Sequence, residues 1–199
     1  MLDRKQFSLF EQKIRAQILD FMEELNSKTI NCLNCSGLCC TQSKNSMQLE
    51  LYELVSLAQN LKSKNLWNSE LKSRCLEAIS KYHLDRPIYI KNKLMRKNYT
   101  CPLFLFESFG CPLSFETKPL GCLNFNPTQP LVSKGEGCQS DLNRLSLIDQ
   151  SFGSEVDQWN QFWQSELNVQ YEKSPLPVAI VFLMDHPEFA LGIGLRIDK

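Results

Sequence analysis

The sequence predicts a mainly α-helical single domain over residues 1–199, with irregular cysteine-rich loops and a short β-hairpin at a metal site. Three observations point there. Apolar residues recur at three- and four-residue spacing over several long stretches, the signature of helices with one buried face. Nine cysteines are present, eight of them in two blocks, 32–40 and 101–138, where that periodicity fails. Between 87 and 130 the pattern shortens to brief apolar runs punctuated by Gly, Pro and Asn, which reads as short strands and turns.

A first helix is expected over residues 3–27. There Phe7, Phe10, Ile14, Ile18, Phe21, Met22 and Leu25 form one stripe, with Arg4, Lys5, Glu11, Lys13, Arg15, Asp20 and Glu23 on the other face. Residues 31–45 carry Gly37 and several Asn and Ser residues and read as a loop. Leu49, Leu54, Leu57, Ala58 and Leu61 predict a second helix over 46–61, and Leu71, Cys75, Ala78, Ile79 and Tyr82 a third over 69–82. The runs IYIK, CPLFLF and CPLSF predict short strands, the last two joined by an ESFG turn. A long helix follows over 141–171, interrupted near Gly153. Its stripe of Trp159, Phe162, Trp163, Leu167 and Tyr171 is expected to be core rather than a cofactor box. The piece from 175 to 199 fits a buried strand or a short helix followed by a loop. No internal repeat or domain boundary stands out, so the cysteine region 32–138 is flanked by helical parts 1–28 and 139–199.

Composition removes several function classes. With 43% hydrophobic and 22% charged residues the chain is neither disordered nor low in complexity. The balance of 22 basic against 22 acidic side chains argues against a general nucleic-acid surface. The best apolar run, 177–184, is too short to span a bilayer, so no membrane partner is expected. The first residues interleave charges with single apolar side chains and offer no signal-peptide core, which predicts a soluble, cytoplasmic protein. In a reducing compartment clustered cysteines are more often metal ligands or redox groups than bridges.

Charge is unevenly spread. Residues 81–100 hold six basic side chains and one acidic, whereas 141–199 hold nine acidic and four basic. The expectation is that these parts complement each other within the fold or across a dimer; the alternative is a basic dock for an acidic partner or nucleic acid. His83 and His186 each lie beside an element end and are expected to be surface or cap residues. Hydrolase chemistry has no foothold, since no G-x-S-x-G, P-loop or H-E-x-x-H motif is present.

The sharpest chemistry lies in Cys32, Cys35, Cys39 and Cys40, a C-x2-C-x3-C-C run. A C-x2-C spacing lets a tight loop aim two thiolates at one metal, and Gly37 eases the bend. The adjacent side chains of Cys39 and Cys40 diverge, so both cannot easily reach one ion. Downstream stand Cys101, Cys111, Cys122 and Cys138, the first two followed by proline, which fixes the chain direction after the sulfur. The expected primary site joins Cys32, Cys35 and Cys39 or Cys40 with one or more of Cys101, Cys111, Cys122 and Cys138. Cys75, on the apolar face of the third helix, is expected to be a core thiol. An iron-sulfur cluster is preferred over zinc: all-thiolate ligation suits both, but a cluster takes four cysteines, and Phe104, Phe106, Phe109, Phe115 and Phe125 would shield it.

These residues carry a resemblance. The run from Cys32 to Cys40, then Cys101, then Cys111-Pro-Leu-Ser-Phe-Glu-Thr-Lys118-Pro119-Leu-Gly-Cys122-Leu-Asn-Phe125, and finally Cys138, resembles the YkgJ-type cysteine-cluster family, described as zinc- or iron-chelating. Lys118 stands where the family has Arg, Leu123 where a second Arg follows the cysteine, and Pro127 comes one residue late. The cysteine-rich domain of flagellin lysine-N-methylases shares the pattern, so the resemblance implies, as an alternative, a lysine-N-methylase-like enzyme acting on a protein. The one glycine-rich candidate for a methyl-donor loop, Gly192-Ile193-Gly194, lies too near the end to open a dinucleotide-type unit. The radical-SAM order is absent, because Gln42 stands where its third cysteine would be. A non-catalytic binding or maturation module with a structural metal is the remaining alternative. No acid-base pair stands beside the cysteines, so no catalytic residue, substrate or protein partner is assigned from sequence.

Overall fold

The computed structural model describes residues 2–27, 38–91, 93–105, 110–114, 116–127, 138–140 and 142–186. Helix α1 (Arg4–Ser27) opens on a capping box, in which Asp3 Oδ1 accepts from Gln6 N at 2.8 Å and Asp3 N donates to Gln6 Oε1 at 3.1 Å. A 3-10 turn (Leu38–Cys40) and a two-residue strand β1 (Gln48–Leu49) lead into α2 (Leu51–Ser63), whose start is fixed by reciprocal Glu50 and Glu53 side chains. Helix α3 (Ser69–Tyr82) is capped by Asn68, whose side chain accepts from Leu71 N at 3.0 Å. It ends at His83 in the left-handed region, φ 52°. Strands β2 (Ile88–Ile90) and β3 (Lys93–Met95) form a hairpin. Then come a one-turn helix α4 (Leu120–Leu123) and strands β4 (Phe125–Pro127) and β5 (Cys138–Ser140). The long α5 (Leu142–Leu167), strand β6 (Ser174–Pro175) and α6 (Leu176–Asp185) complete the described chain.

Helices make the body. α2 lies at the centre, buried along nearly its whole length, with α5 and α6 against it; α3 packs along α6, and α1 packs on α4 and α5. The stripe of α1 meets the aromatic stripe of α5: the Phe7 ring sits edge-on to Trp159 at 5.1 Å and to Trp163 at 5.3 Å. Both tryptophans are buried, as the spacing predicted. Arg144 of α5 also donates to the Ile18 carbonyl of α1 at 2.9 Å. Among the described residues the strands pair two by two and antiparallel: β1 with β6, β2 with β3, and β4 with β5. Tyr171 donates its hydroxyl to the Leu49 carbonyl at 3.1 Å and so ties the β1–β6 pair to the chain that follows α5.

Several sequence expectations need correction. The second helix starts at Leu51 rather than 46, because Gln48 and Leu49 are drawn into pairing with Pro175 and Ser174. Helix α5 is not interrupted at Gly153 and stops at Leu167 rather than 171. A Cβ on Gly153 would meet nothing within 4 Å, so that glycine costs only its intrinsic propensity. After Asn168, at φ 51°, the chain leaves the helix. CPLFLF and CPLSF are not strands among the described residues. Phe104 N donates to the Cys101 carbonyl at 3.0 Å, closing a turn, and a single Leu105–Gly110 bridge is what remains of the expected ladder. Pro102 and Pro112 each remove a ladder donor just where a strand would begin. The segment from 176 is helical, with Pro177 in the first turn, where its missing N–H is harmless. No helix among the described residues is long and apolar enough to cross a membrane.

Candidate metal centre

Cys39 and Cys40 end the 3-10 turn, and the chain beyond them is folded back on itself: Lys44 N and Asn45 N both donate to the Thr41 carbonyl, at 3.1 and 2.9 Å. The stretch carrying Cys101 is stitched to this turn. Tyr99 N donates to the Asn45 carbonyl at 2.9 Å and Cys101 N to the Cys40 carbonyl at 2.7 Å. Tyr99 itself is buried; its hydroxyl donates to the Met47 carbonyl and accepts from Leu176 N at 3.2 Å. Two further bonds hold the flanks of Cys101. Tyr82 and Thr100 share a hydroxyl bond at 2.9 Å, and Arg74 donates to the Pro102 carbonyl.

Cys122 is delivered by α4. The turn before that helix is closed by Thr117 N and Lys118 N, both donating to the Ser114 carbonyl at 3.0 Å. Arg15 of α1 donates to the Lys118 carbonyl at 2.6 Å. Glu53, buried in α2, accepts from Leu120 N through Oε1 at 3.0 Å and from Glu50 N through Oε2 at 3.2 Å. One carboxyl therefore caps its own helix and anchors the start of α4. Gly121 lets the Met47 side chain lie close, since a Cβ there would stand 2.6 Å from Met47 Sδ and the flexible thioether would have to shift.

The result brings Cys39 and Cys40 together with Cys101, Cys111 and Cys122 around one cavity of about 320 Å³, all five as free thiols. Cys39 and Cys40 are hydrogen-bonded to each other, and Cys40 to Cys101. Of the remaining candidates, Cys32 and Cys35 lie outside the described residues, and Cys138 opens β5 opposite Pro127. Cys75 is a buried core thiol on α3. His83 is the α3 cap, and His186 Nδ1 bonds to the Phe182 carbonyl at 2.7 Å. Of the expected aromatic shell, Phe104 is buried and Phe125 lines the cavity, while Phe106, Phe109 and Phe115 lie outside the described residues. Among the described residues no three His, Cys, Asp or Glu side chains are already arranged to hold a metal ion.

Electrostatics favour the neutral thiols in this arrangement. The hydrogen bond to Cys40 and burial push the Cys39 thiol far above its ordinary value, and the bond to Cys101 and burial do the same for Cys40. Burial raises Cys111. Cys122 has some surface on the cavity but protein on every side, and burial with the other thiols nearby raises it strongly. The Lys118 ammonium pulls the opposite way, stabilising thiolate at Cys39 and Cys111.

A pH prediction follows. Thiols raised above 9.0 stabilise the metal-free fold fully below that value, and the contribution is lost as pH rises through their folded values. The urea midpoint of metal-free protein is expected to fall between neutral pH and pH values above 9, with unfolding monitored by tryptophan fluorescence. A midpoint that holds or rises would show that the thiols are not protonated and packed as described.

Sequence reasoning missed Glu53, Tyr99 and Arg15. For Glu53 a signal existed: Glu50-x-x-Glu53 is a capping-box pattern, and Glu53 interrupts an otherwise apolar helix face. Nothing comparable marks Tyr99 or Arg15. Comparison of the chain with protein-family models, with curated proteins and with solved structures finds no match in any of the three.

Proposed function

We propose that this chain is a cysteine-cluster metal protein of the YkgJ type, whose thiols hold an iron-sulfur cluster in a redox or metal-dependent role, with zinc as the second candidate. The observation that carries the reading is the meeting of Cys39 and Cys40 with Cys101, Cys111 and Cys122 at one cavity, across about 60 residues of intervening chain. The donor set fits a thiophilic centre. It is all sulfur, and the nearest buried carboxyl, Glu53, is committed to two backbone N–H groups. Cys39 and Cys40 bond to each other rather than diverging as expected, and Cys40, bonded also to Cys101, is the one that serves with thiols of the second block, with Cys39, Cys32 and Cys35 as further candidates. Lys118, at the position where the family has Arg, supplies a positive charge beside sulfurs that become anionic on ligation.

An iron-sulfur cluster would supply a one-electron couple. The chain's part is to hold sulfurs from two distant segments at fixed spacing, with Tyr99 and Glu53 locking the segments in place. Ligation requires deprotonated thiols, so metal uptake releases protons and strengthens as pH rises.

Voltammetry of anaerobically purified protein tests the choice of metal. A reversible one-electron wave, absent after chelation, is the expected result. Stoichiometric metal with no redox wave would replace iron-sulfur by structural zinc and favour the binding or maturation module over a redox role.

A further inference from the structure

We propose that Cys40 and Cys101 form a reversible disulfide when hydrogen peroxide reaches the thiols before metal does, and that this bond keeps metal out of the centre. The bond itself does not depend on the metal reading; its consequence for metal rests on that reading. The two cysteines come from different blocks, about 60 residues apart. Their side chains are nonetheless hydrogen-bonded, and Cys101 N donates to the Cys40 carbonyl at 2.7 Å. Side chain and backbone thus pin the same two residues to each other. A backbone bond of that length holds two Cα atoms within the span a disulfide bridges, and sulfurs in hydrogen-bond contact need little further movement to join. Both thiols are free and half-buried. Cys39, the other thiol bonded to Cys40, is a worse partner: a bond between adjacent residues closes a small ring through the planar peptide that joins them and strains it.

Cys101 is also where the oxidant can arrive. It lines the central cavity and a second one of about 640 Å³, whose lining includes the exposed side chains of Glu70, Glu77 and Lys81 and so opens to solvent. Cys75, buried on α3, lines neither. The Cys101 thiolate attacks one peroxide oxygen: an S–O bond forms, the O–O bond breaks, and hydroxide leaves. The Cys40 thiolate then attacks that sulfur, so that the S–S bond forms, the S–O bond breaks and a second hydroxide leaves. The two thiols have given up two electrons and two protons, and the peroxide has become two waters. One sulfur from each block is withdrawn in a single bond, and a dithiol restores both by exchange.

The full chain, purified anaerobically, stripped with a chelator and treated with hydrogen peroxide, tests this by tandem mass spectrometry of the non-reduced digest. The expected result is a Cys40–Cys101 link, a loss of two free thiols per chain, and no uptake of added zinc, or of ferrous iron with sulfide, until dithiothreitol is supplied. The link should persist in Cys39→Ser and Cys111→Ser and disappear in Cys40→Ser. A link between other cysteines, sulfinic acid at Cys101 without any link, or thiols left unchanged would overturn the proposal whatever the metal result. So would full metal uptake by the linked protein. A Cys40–Cys101 link in a chain that takes up no metal even when reduced would uphold the disulfide and overturn its consequence for metal together with the metal reading.

Discussion

Serine at Cys122 or Cys101 is expected to strip the metal and lower the melting temperature together, whereas serine at Cys75 leaves metal content at the wild-type level. Cys101 is fixed by its own N–H bond to the Cys40 carbonyl and Cys122 by the anchored α4, so their sulfurs are held at the cavity before any metal arrives. Removing a ligand should weaken binding by more than the roughly 10–100-fold that changes around a ligand set cost. On the proposed reading a metal would bind only the folded chain, where the two blocks meet, so losing it would lower stability as well. Cys75 is different. Burial raises its thiol to about 12 against the pull of Arg74, and it does not line the cavity. Serine there leaves a hydroxyl among apolar groups and costs about 1–3 kcal/mol without moving the metal. Between the neighbours Cys39 and Cys40, one serine variant should retain metal. Plasma emission spectrometry with thermal melts on the same samples checks all of these. If every downstream substitution left the metal bound while Cys75→Ser removed it, the two-block centre would be wrong.

Glu53→Ala is expected to give the largest effect of any change that removes no sulfur. It deletes the acceptor of Leu120 N and the side-chain half of the α2 capping box in one step. Each orphaned buried donor costs about 1–3 kcal/mol, and the Leu120 donor is fully buried. Burial raises the Glu53 carboxyl above its ordinary value, opposed by Lys173 and the two backbone bonds, so the charged form is held at a cost. That contribution favours the fold below pH 4.5 and is lost as pH rises through the folded value. Glu53→Gln separates charge from geometry, because the amide oxygen keeps one of the two bonds. We expect Glu53→Ala to lower both denaturation midpoint and metal affinity, and Glu53→Gln to keep metal affinity near wild type. Equal metal affinity in Glu53→Ala, measured by chelator competition, would show that α4 holds Cys122 without this anchor.

Legibility from sequence tracked the range of the interactions involved. Helix α3 was readable because its stripe of Leu71, Cys75, Ala78, Ile79 and Tyr82 is a local pattern. The buried aromatics of α5 were readable for the same reason, whereas the break expected at Gly153 failed because a glycine on an open helix face costs little. Cys-Pro segments misled in the other direction: their apolar alternation resembles a strand, but the prolines remove the donors a ladder needs. The cysteines could be recognised as chemistry from spacing. How the second block reaches the first could not, because it depends on Tyr99 N to Asn45, Cys101 N to Cys40 and Arg15 to Lys118, bonds between residues distant in sequence.

The most direct test of the central claim is the iron, zinc and acid-labile sulfide content of protein purified anaerobically at neutral pH. The account predicts brown protein with iron and sulfide in matching stoichiometry, both lost in Cys122→Ser. Colourless protein with neither iron nor zinc, its cysteines paired as disulfides, would contradict it.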